Sequence, residues 1–287
     1  MIDLALSILS SSLIFVIFKL FATYRVQTLF GIIVNYVTAC IVGILFYDGS
    51  TSFSELPARP WFPGTVILGA LFILVFNLMA RTSQKMGVSV ASVATKMSLA
   101  IPVLLGVALY NEHLGTIKII GIFMALAAVY FSSLKKSRKV IIRHNLLLPS
   151  LVFLGSGIID GSIQFMQATS VGPEEFSLFS ATVFAAAASA GFLIILVRAI
   201  REPIRWNHRN LIGGICLGIP NFFSIYFLLR ALQNDILNSA SIFTINNVAI
   251  VMLSTLLGIL LFKEQLSLAN WSGIVLAITS IFLVALF

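Results

Sequence analysis

The sequence predicts an all-α membrane protein with ten transmembrane helices, arranged as two inverted five-helix repeats. Of its 287 residues, 59% are hydrophobic and only 10% are charged, whereas about a quarter of the residues of a soluble domain are charged. The apolar residues occur in runs of about 20, the length of a helix that crosses a hydrocarbon core roughly 30 Å thick. The runs do not alternate apolar with polar residues, as strands of a membrane barrel would.

The ten predicted spans are separated by short connections. They cover residues 3–22, 28–47, 61–80, 87–110, 115–134, 146–169, 174–198, 211–232, 236–262 and 269–287. The connections are too short to fold as soluble domains, so any ligand site is expected among the helices. Asp3 begins the first span, and no basic residue or small-residue cleavage site lies nearby. We therefore expect this span to remain in the membrane and not to be removed as a signal peptide.

The net charge of +8 reflects topology and does not predict nucleic-acid binding. Two basic residues, Arg59 and Arg230, lie at even-numbered connections. The odd-numbered connections hold Lys19, Arg25, Arg81, Lys85, Lys135, Lys136, Arg138, Lys139, Arg143, Arg198, Arg201, Arg205, Arg209 and Lys263. By the positive-inside rule, the odd connections face the cytoplasm and both termini lie outside. We expect a multi-pass protein of the bacterial cytoplasmic membrane, surrounded by lipid, and the cluster between residues 135 and 143 also suits anionic lipid headgroups.

The chain contains an internal repeat. The stretch YNEHLGTIKIIGI, from residue 110, matches FKEQLSLANWSGI, from residue 262, at a constant offset of 152 residues. The offset pairs Glu112 with Glu264, Leu114 with Leu266, Gly121 with Gly273, Ile122 with Ile274 and Ala125 with Ala277. The first half is then residues 1–139 and the second half residues 140–287, each with five spans. An odd number of spans inverts the second half, which is the architecture of many secondary transporters.

These features resemble the EamA-type branch of the drug/metabolite transporter superfamily. The resemblance rests on two five-helix halves, each with an acidic residue that closes the fourth helix and a Glu-x-Leu before a glycine-containing fifth helix. It implies a carrier of small polar metabolites or drugs, with a central cavity lined by the first four helices of each half. The small multidrug exporters of the superfamily carry a proton-binding acidic residue in their first helix, whereas span 1 here has only Asp3 at its outer end.

Two ionisable residues lie deep in the predicted spans. Lys96 is in span 4 and Asp160 is in span 6. Charged groups at such depth usually face a cavity or a partner, because their burial in hydrocarbon is unfavourable. Lys96 and Ser92 form a polar stripe on span 4. Asp160, Gln164 and Gln167 form another on span 6. We expect Lys96 to bind an anionic group of a substrate and Asp160 to bind its amine or exchange a proton; the alternative is a structural ion pair.

Four amides are further candidates for the substrate-binding site. Asn35, Asn77, Asn221 and Asn247 lie in spans 2, 3, 8 and 9. Amides both donate and accept hydrogen bonds, so they suit a polar ligand, but they also tie helices together in membranes. Pro220 precedes Asn221 and removes a helix hydrogen bond, which favours a cavity there.

Other polar and small residues are expected to have structural roles. Glu112 and Glu264 close the fourth helix of each half, where a gating or structural contact is expected. Pro102 predicts a bend in span 4. The small-xxx-small patterns GIIDG and GICLG, which start at Gly157 and Gly214, predict close helix packing.

The sequence therefore predicts a secondary active transporter that moves a small polar or zwitterionic metabolite by alternating access. An amino acid suits the opposite charges of Lys96 and Asp160, and protons are candidate coupling ions. An exporter or exchanger of organic anions or drugs is the alternative. No P-loop is present, and neither a metal site nor another cofactor is expected. Clustered His or paired Asp for an intramembrane enzyme, and a charged ring for a channel, are also lacking. The expected assembly is a monomer or homodimer.

Overall fold

A computed structural model describes residues 2–47, 53–104, 115–134, 146–172, 175–200, 207–232 and 239–286. Ten helices account for most of this part of the chain. They are α1 (Ile2–Thr23), α2 (Thr28–Leu45), α3 (Phe62–Met86), α4 (Val88–Met97), α5 (Thr116–Ser133), α6 (Leu147–Thr169), α7 (Phe176–Ala199), α8 (His208–Leu232), α9 (Ser239–Phe262) and α10 (Leu268–Leu286). A 3₁₀ helix, Phe53–Ala58, precedes α3.

The predicted all-α fold and its ten helices are confirmed over the described residues. Eight helices are long and apolar enough to cross a membrane, and two shorter apolar helices, Val88–Leu104 and Leu268–Val284, correspond to spans 4 and 10. Residues 105–114, which include Glu112, and the basic linker at residues 135–145 lie outside the described part. The division at residue 139 stays a prediction.

The predicted end of the third span is wrong. We expected it near residue 80, but α3 continues to Met86. Arg, Gln and Lys are good helix formers, so Arg81, Gln84 and Lys85 extend the helix beyond its apolar part. Only Gly87 separates α3 from α4, and its φ of 118° is in the region that favours glycine. Two spans are therefore joined by a single residue.

The fourth helix breaks after Met97. Ser98 and Leu99 form a turn, and helical conformation resumes at residues 100–104. Pro102 lacks an N–H to donate to the carbonyl of Ser98, and its ring crowds that carbonyl. Ile101 N instead bonds Ser98 O at 2.9 Å, in a tighter turn. The helix is thus interrupted two residues after Lys96, and the predicted bend stays a prediction.

The most extensive helix contacts join the two halves: α5 packs on α10, α2 and α1 on α8, and α3 on α7. Glycine permits the closest approaches, because it lacks a Cβ. A Cβ at Gly218 would lie 2.6 Å from Thr38 Cβ, and Gly214 packs equally closely on Val34. A Cβ at Gly69 would lie 2.6 Å from Ala186 Cβ. The packing predicted for GICLG is thus confirmed between α8 and α2.

Gly218→Ala should lower the stability of the protein although alanine favours helix. The added methyl group would overlap Thr38 Cβ and lie 2.7 Å from the carbonyl oxygen of Asn35, and such overpacking costs about 1–3 kcal/mol. Thermal unfolding of the purified protein in detergent would measure the effect. Gly64→Ala is the matched control, since its new methyl group meets only the flexible end of Met166. Equal melting temperatures for the two variants would contradict the close α2–α8 contact.

Candidate functional site

Lys96 and Asp160 face each other across the contact between α4 and α6. Protein atoms surround each side chain, although Lys96 is only partly buried and Asp160 is exposed, and the main charge acting on each is the other. Their opposite charges therefore attract across the two halves. Among the described residues, however, no direct ion pair within 4.0 Å joins them. The arrangement leaves a separated pair of charges in the interior of the bundle.

Asp160 is held by the broken part of α4. Ser98 Oγ donates a hydrogen bond to Asp160 Oδ2 at 3.2 Å. Gly157, one turn earlier on α6, packs directly against Ile101 just beyond the break. Asp160 itself remains exposed although Ile159 and Gly161 on either side are buried. The carboxylate thus borders an opening between helices while one of its oxygens is anchored to α4.

The other residues predicted to bind substrate fall into two groups. Gln164 is exposed one turn beyond Asp160, and Asn77 and Asn247 are partly exposed. Asn77 donates to Ile73 O in its own helix at 2.7 Å, which leaves its side-chain oxygen available. These amides retain polar surface for a ligand. Ser92 is buried, and its hydroxyl donates a hydrogen bond to Ser89 O at 3.0 Å. The side chain of Gln167 lies outside the described part.

Asn35 and Asn221 are bonded to each other. Asn221 Nδ2 donates to Asn35 Oδ1 at 3.2 Å, and both side chains are buried. Asn35 Nδ2 also donates to Ile32 O at 3.4 Å. The pair lies at the close contact of α2 with α8, near Gly218. This geometry corresponds to the alternative in which amides tie helices together.

Glu264 links the two halves at one end of the bundle. Its carboxylate accepts hydrogen bonds from Val88 N at 2.7 Å and from Ser89 Oγ at 3.0 Å. These are groups at the start of α4, so Glu264 serves as the N-terminal cap of a helix in the other half. The positive end of the α4 dipole further stabilises its charge. Gly87 makes room for the carboxylate, since a Cβ there would lie 2.8 Å from Glu264 Oε1.

Glu175 links the halves at another site, between the start of α7 and the start of α3. It pairs with Arg59 at 3.0 Å and accepts a hydrogen bond from Trp61 Nε1 at 2.9 Å. The Trp61 ring is buried. Asp3 and Arg230 form a further ion pair, 3.6 Å long, between α1 and α8. Both ends of the helix bundle therefore carry polar contacts between the halves.

Sequence reasoning missed several of these groups. Ser98 lies outside the polar stripe of span 4, and Trp61 resembles any aromatic residue near a membrane surface. Three buried hydroxyl groups, those of Ser12, Ser156 and Thr255, have no hydrogen-bond partner in the described part of the protein. Ser156 is one turn before Asp160 on α6. Ser156, Asp160 and Gln164 are spaced four residues apart, and this spacing was the signal that would have identified Ser156.

Comparisons place this chain among known proteins. Its apolar helices and polar interior define a multi-pass integral membrane protein. The family model of EamA-like transporters matches residues 2–134. An uncharacterized protein of Haemophilus influenzae is 31% identical over 222 residues, which cover 77% of this chain and 74% of that protein. The chain belongs to the EamA-like transporter family, part of the drug/metabolite transporter superfamily.

A solved structure shares the fold. A protein crystal structure with 17% sequence identity superposes with a TM-score of 0.59 and covers 98% of this chain and 96% of its own. The likeness extends across both halves, beyond the residues matched by the family model. It supports the helix arrangement and carries no information on substrate.

Glu264→Ala should destabilise the protein by about 1 kcal/mol or more, because the start of α4 loses its cap. Glu264→Gln should have a smaller effect, since the amide oxygen can still accept from Val88 N but without a charge to interact with the helix dipole. Thermal unfolding in detergent would rank the variants. Gln265→Ala, at the exposed neighbouring position, is the control. A melting temperature of Glu264→Ala equal to that of Gln265→Ala would contradict the capping role.

Proposed function

We propose that this protein is a secondary active transporter that moves a small zwitterionic metabolite, such as an amino acid, by alternating access. The observation that carries the proposal is the separated charge pair of Lys96 and Asp160 in the interior of the bundle. The ammonium would bind the carboxylate of the substrate, and the carboxylate would bind its amine. Membership of the EamA-like transporter family supports transport as the activity.

The halves are proposed to be inverted repeats. If helices one to five correspond to helices six to ten, the packing of α2 on α8 corresponds to that of α7 on α3, and both occur. The same exchange relates α1–α8 to α6–α3 and α1–α9 to α6–α4, which also occur. When the two halves are exchanged in this way, three pairs remain the same pair: α5–α10, α2–α7 and α4–α9. This correspondence supports two equivalent halves, between which a central site can open to either side.

Lys96 is suited to contact substrate because its charge lacks a close partner. An interior ammonium needs hydrogen-bond acceptors, and a buried charge that stays permanently unpaired is strongly unfavourable. Lys96 makes no hydrogen bond with any described residue, whereas Asp160 accepts one from Ser98. A substrate carboxylate would supply the missing acceptors. Gln164, Asn77 and Asn247 would then bind the remaining polar groups of the ligand.

The polar contacts at the ends of the bundle would act as alternating closures. Glu264 joins the halves at the start of α4, and Glu175 joins them at the start of α3. Each contact includes charged or polar groups that water can solvate after separation, namely the carboxylates of Glu264 and Glu175. Alternating access would break one set of contacts while the other holds. Glu264 is thereby a gating residue in this proposal, as well as a cap.

An organic anion is the second candidate substrate. The observation that favours it is the asymmetry between the two charges: Asp160 already accepts a hydrogen bond, whereas Lys96 has none. An anion would then bind Lys96 alone, with Asp160 balancing the charge of the empty site. A drug exporter or exchanger of such anions is the corresponding function.

Reconstitution into liposomes would test the proposal. We expect saturable counterflow of zwitterionic amino acids, and Lys96→Ala should reduce it by about tenfold or more, as expected for loss of a charge-assisted hydrogen bond. Asp160→Asn should weaken uptake of zwitterions while sparing that of organic anions. Lys118→Ala, which removes a lysine on α5, is the control. Wild-type rates in both site variants at equal expression would exclude the site, and non-saturating conductance would indicate a channel.

Proton coupling has a separate test. If Asp160 carries the coupled proton, a pH gradient should drive uptake by the wild-type protein and should have no effect on Asp160→Asn. Exchange of labelled for unlabelled substrate at equal pH should survive in the variant, because exchange needs no net proton movement. Uptake driven equally by the gradient in both proteins would show that the proton is carried elsewhere.

A further inference from the structure

A polar cavity lies away from Lys96 and Asp160. Its volume is about 660 Å³, and its walls come from both halves: the ends of α1, α3 and α5, the start of α4 and the connection between α9 and α10. Val90 is the residue furthest along α4 that lines the cavity. Lys96 is six residues further along, or about 9 Å at the rise of an α-helix. The cavity is thus distinct from the proposed substrate site.

Two lysines give this cavity its available charge. Lys19 Nζ donates to Gln84 O at 3.0 Å, and its other two N–H groups bond no residue that the structure describes. Lys85 is exposed and makes no hydrogen bond or ion pair with any residue that the structure describes. Glu264 also lines the cavity, but its carboxylate is bound to the start of α4. The cavity therefore offers two cations beside one carboxylate already engaged.

Other polar groups of the cavity wall already form hydrogen bonds within the protein. Asn270 Nδ2 donates to Ser132 O at 2.6 Å and to Leu134 O at 3.0 Å, and it fastens the end of α5 to the start of α10. Asn270 Oδ1 accepts from Ser267 N at 2.9 Å. These bonds fix the end of α5 relative to the start of α10 at the wall of the cavity. A ligand here would find a preformed site that needs little ordering on binding.

The cavity lies at the ends of predicted membrane helices, where lipid headgroups are expected. Lys19 is in the last two turns of α1, and Lys85 is one residue before the end of α3. Both lie at the end of the bundle where the sequence concentrates its basic residues. Lysine binds phosphate well as a point charge, and basic pockets between membrane helices on the cytoplasmic side are typical sites for phosphate-bearing headgroups.

We propose that the cavity between α1, α3, α4, α5 and α10 binds a phosphate-class anion, with Lys19 and Lys85 as its charged ligands. Because residues of both halves line it, an occupant would bridge them at the end closed by Glu264. A lipid headgroup and a free phosphate share this chemistry. The site does not depend on the transported substrate, so it stands or falls separately from the proposed function.

Ligand-dependent thermal stability of the full-length protein in detergent would test the site. One titration uses inorganic phosphate against sodium chloride at equal ionic strength, and the other adds phosphatidylglycerol against phosphatidylcholine. Either phosphate or phosphatidylglycerol should raise the melting temperature of the wild-type protein. Lys85→Gln should weaken the apparent affinity about fivefold, from the roughly 1 kcal/mol that one basic residue contributes. Lys19→Gln should weaken it similarly.

Lys118→Gln is the matched control, since it removes the same charge at the opposite end of α5. A response to phosphatidylglycerol alone assigns the site to a lipid headgroup, and a response to phosphate alone assigns it to a free anion; both support the proposal. Lys85 has no partner to lose, so its variant should fold. A wild-type protein that responds to neither probe, or an equal weakening in Lys118→Gln, overturns the proposal.

Discussion

The hydrocarbon interior supplies no water, so each polar group within it needs a partner inside the protein. This constraint organises the packing. Many hydroxyl groups bond a carbonyl of their own helix, as Thr38 does with Val34 O at 2.8 Å. Others cross between helices, as Ser83 does to Phe15 O at 2.8 Å. Ser280 does so to Gly121 O at 2.7 Å. Lys96 is the clearest exception in the described part, since its ammonium has no hydrogen-bond partner there.

The two halves depend on each other because their glycines and polar groups meet across the interface. Gly214 and Gly218 bring α8 against α2, and the amides of Asn35 and Asn221 then lie close enough to bond. In the same way, Gly157 of α6 packs closely on Ile101, and Ser98 lies within hydrogen-bond distance of Asp160. Close backbone packing and internal hydrogen bonding are thus one arrangement here, since the small residues allow the polar ones to reach each other.

Most of the helix boundaries could be predicted from the sequence, because a run of apolar residues has one stable state in a bilayer. The end of α3 could not be predicted in this way, since Arg81 to Lys85 favour helix by propensity after the apolar run has ended. Hydropathy detects burial in lipid and is blind to a helix that continues into water. A disturbance of the helix near Pro102 was predictable because proline acts on its own helix.

Contacts across the interface were much harder to predict. Lys96 and Asp160 were recognisable because a charge is conspicuous in an apolar span. A structural contact of Glu264 was expected, but its partners at the start of α4 could not be predicted, since they are 176 residues away and consist mainly of backbone groups. The hydrogen bond between Asn35 and Asn221 was hard to predict for the same reason, because the two residues are far apart in the sequence. A polar residue in a span indicates that a partner exists, but the identity of that partner depends on helix neighbours that one sequence does not specify.

The cap of α4 by Glu264 has a consequence for how the protein is made. Ribosomes add about 5–20 residues per second, and Glu264 is 176 residues after Val88, so synthesis of the intervening chain takes on the order of 9–35 s. During that interval the start of α4 is in the membrane without its cap, and water at the membrane surface must solvate its N–H groups. We therefore expect the first five helices to be inserted but incompletely packed until the ninth and tenth helices have been synthesised.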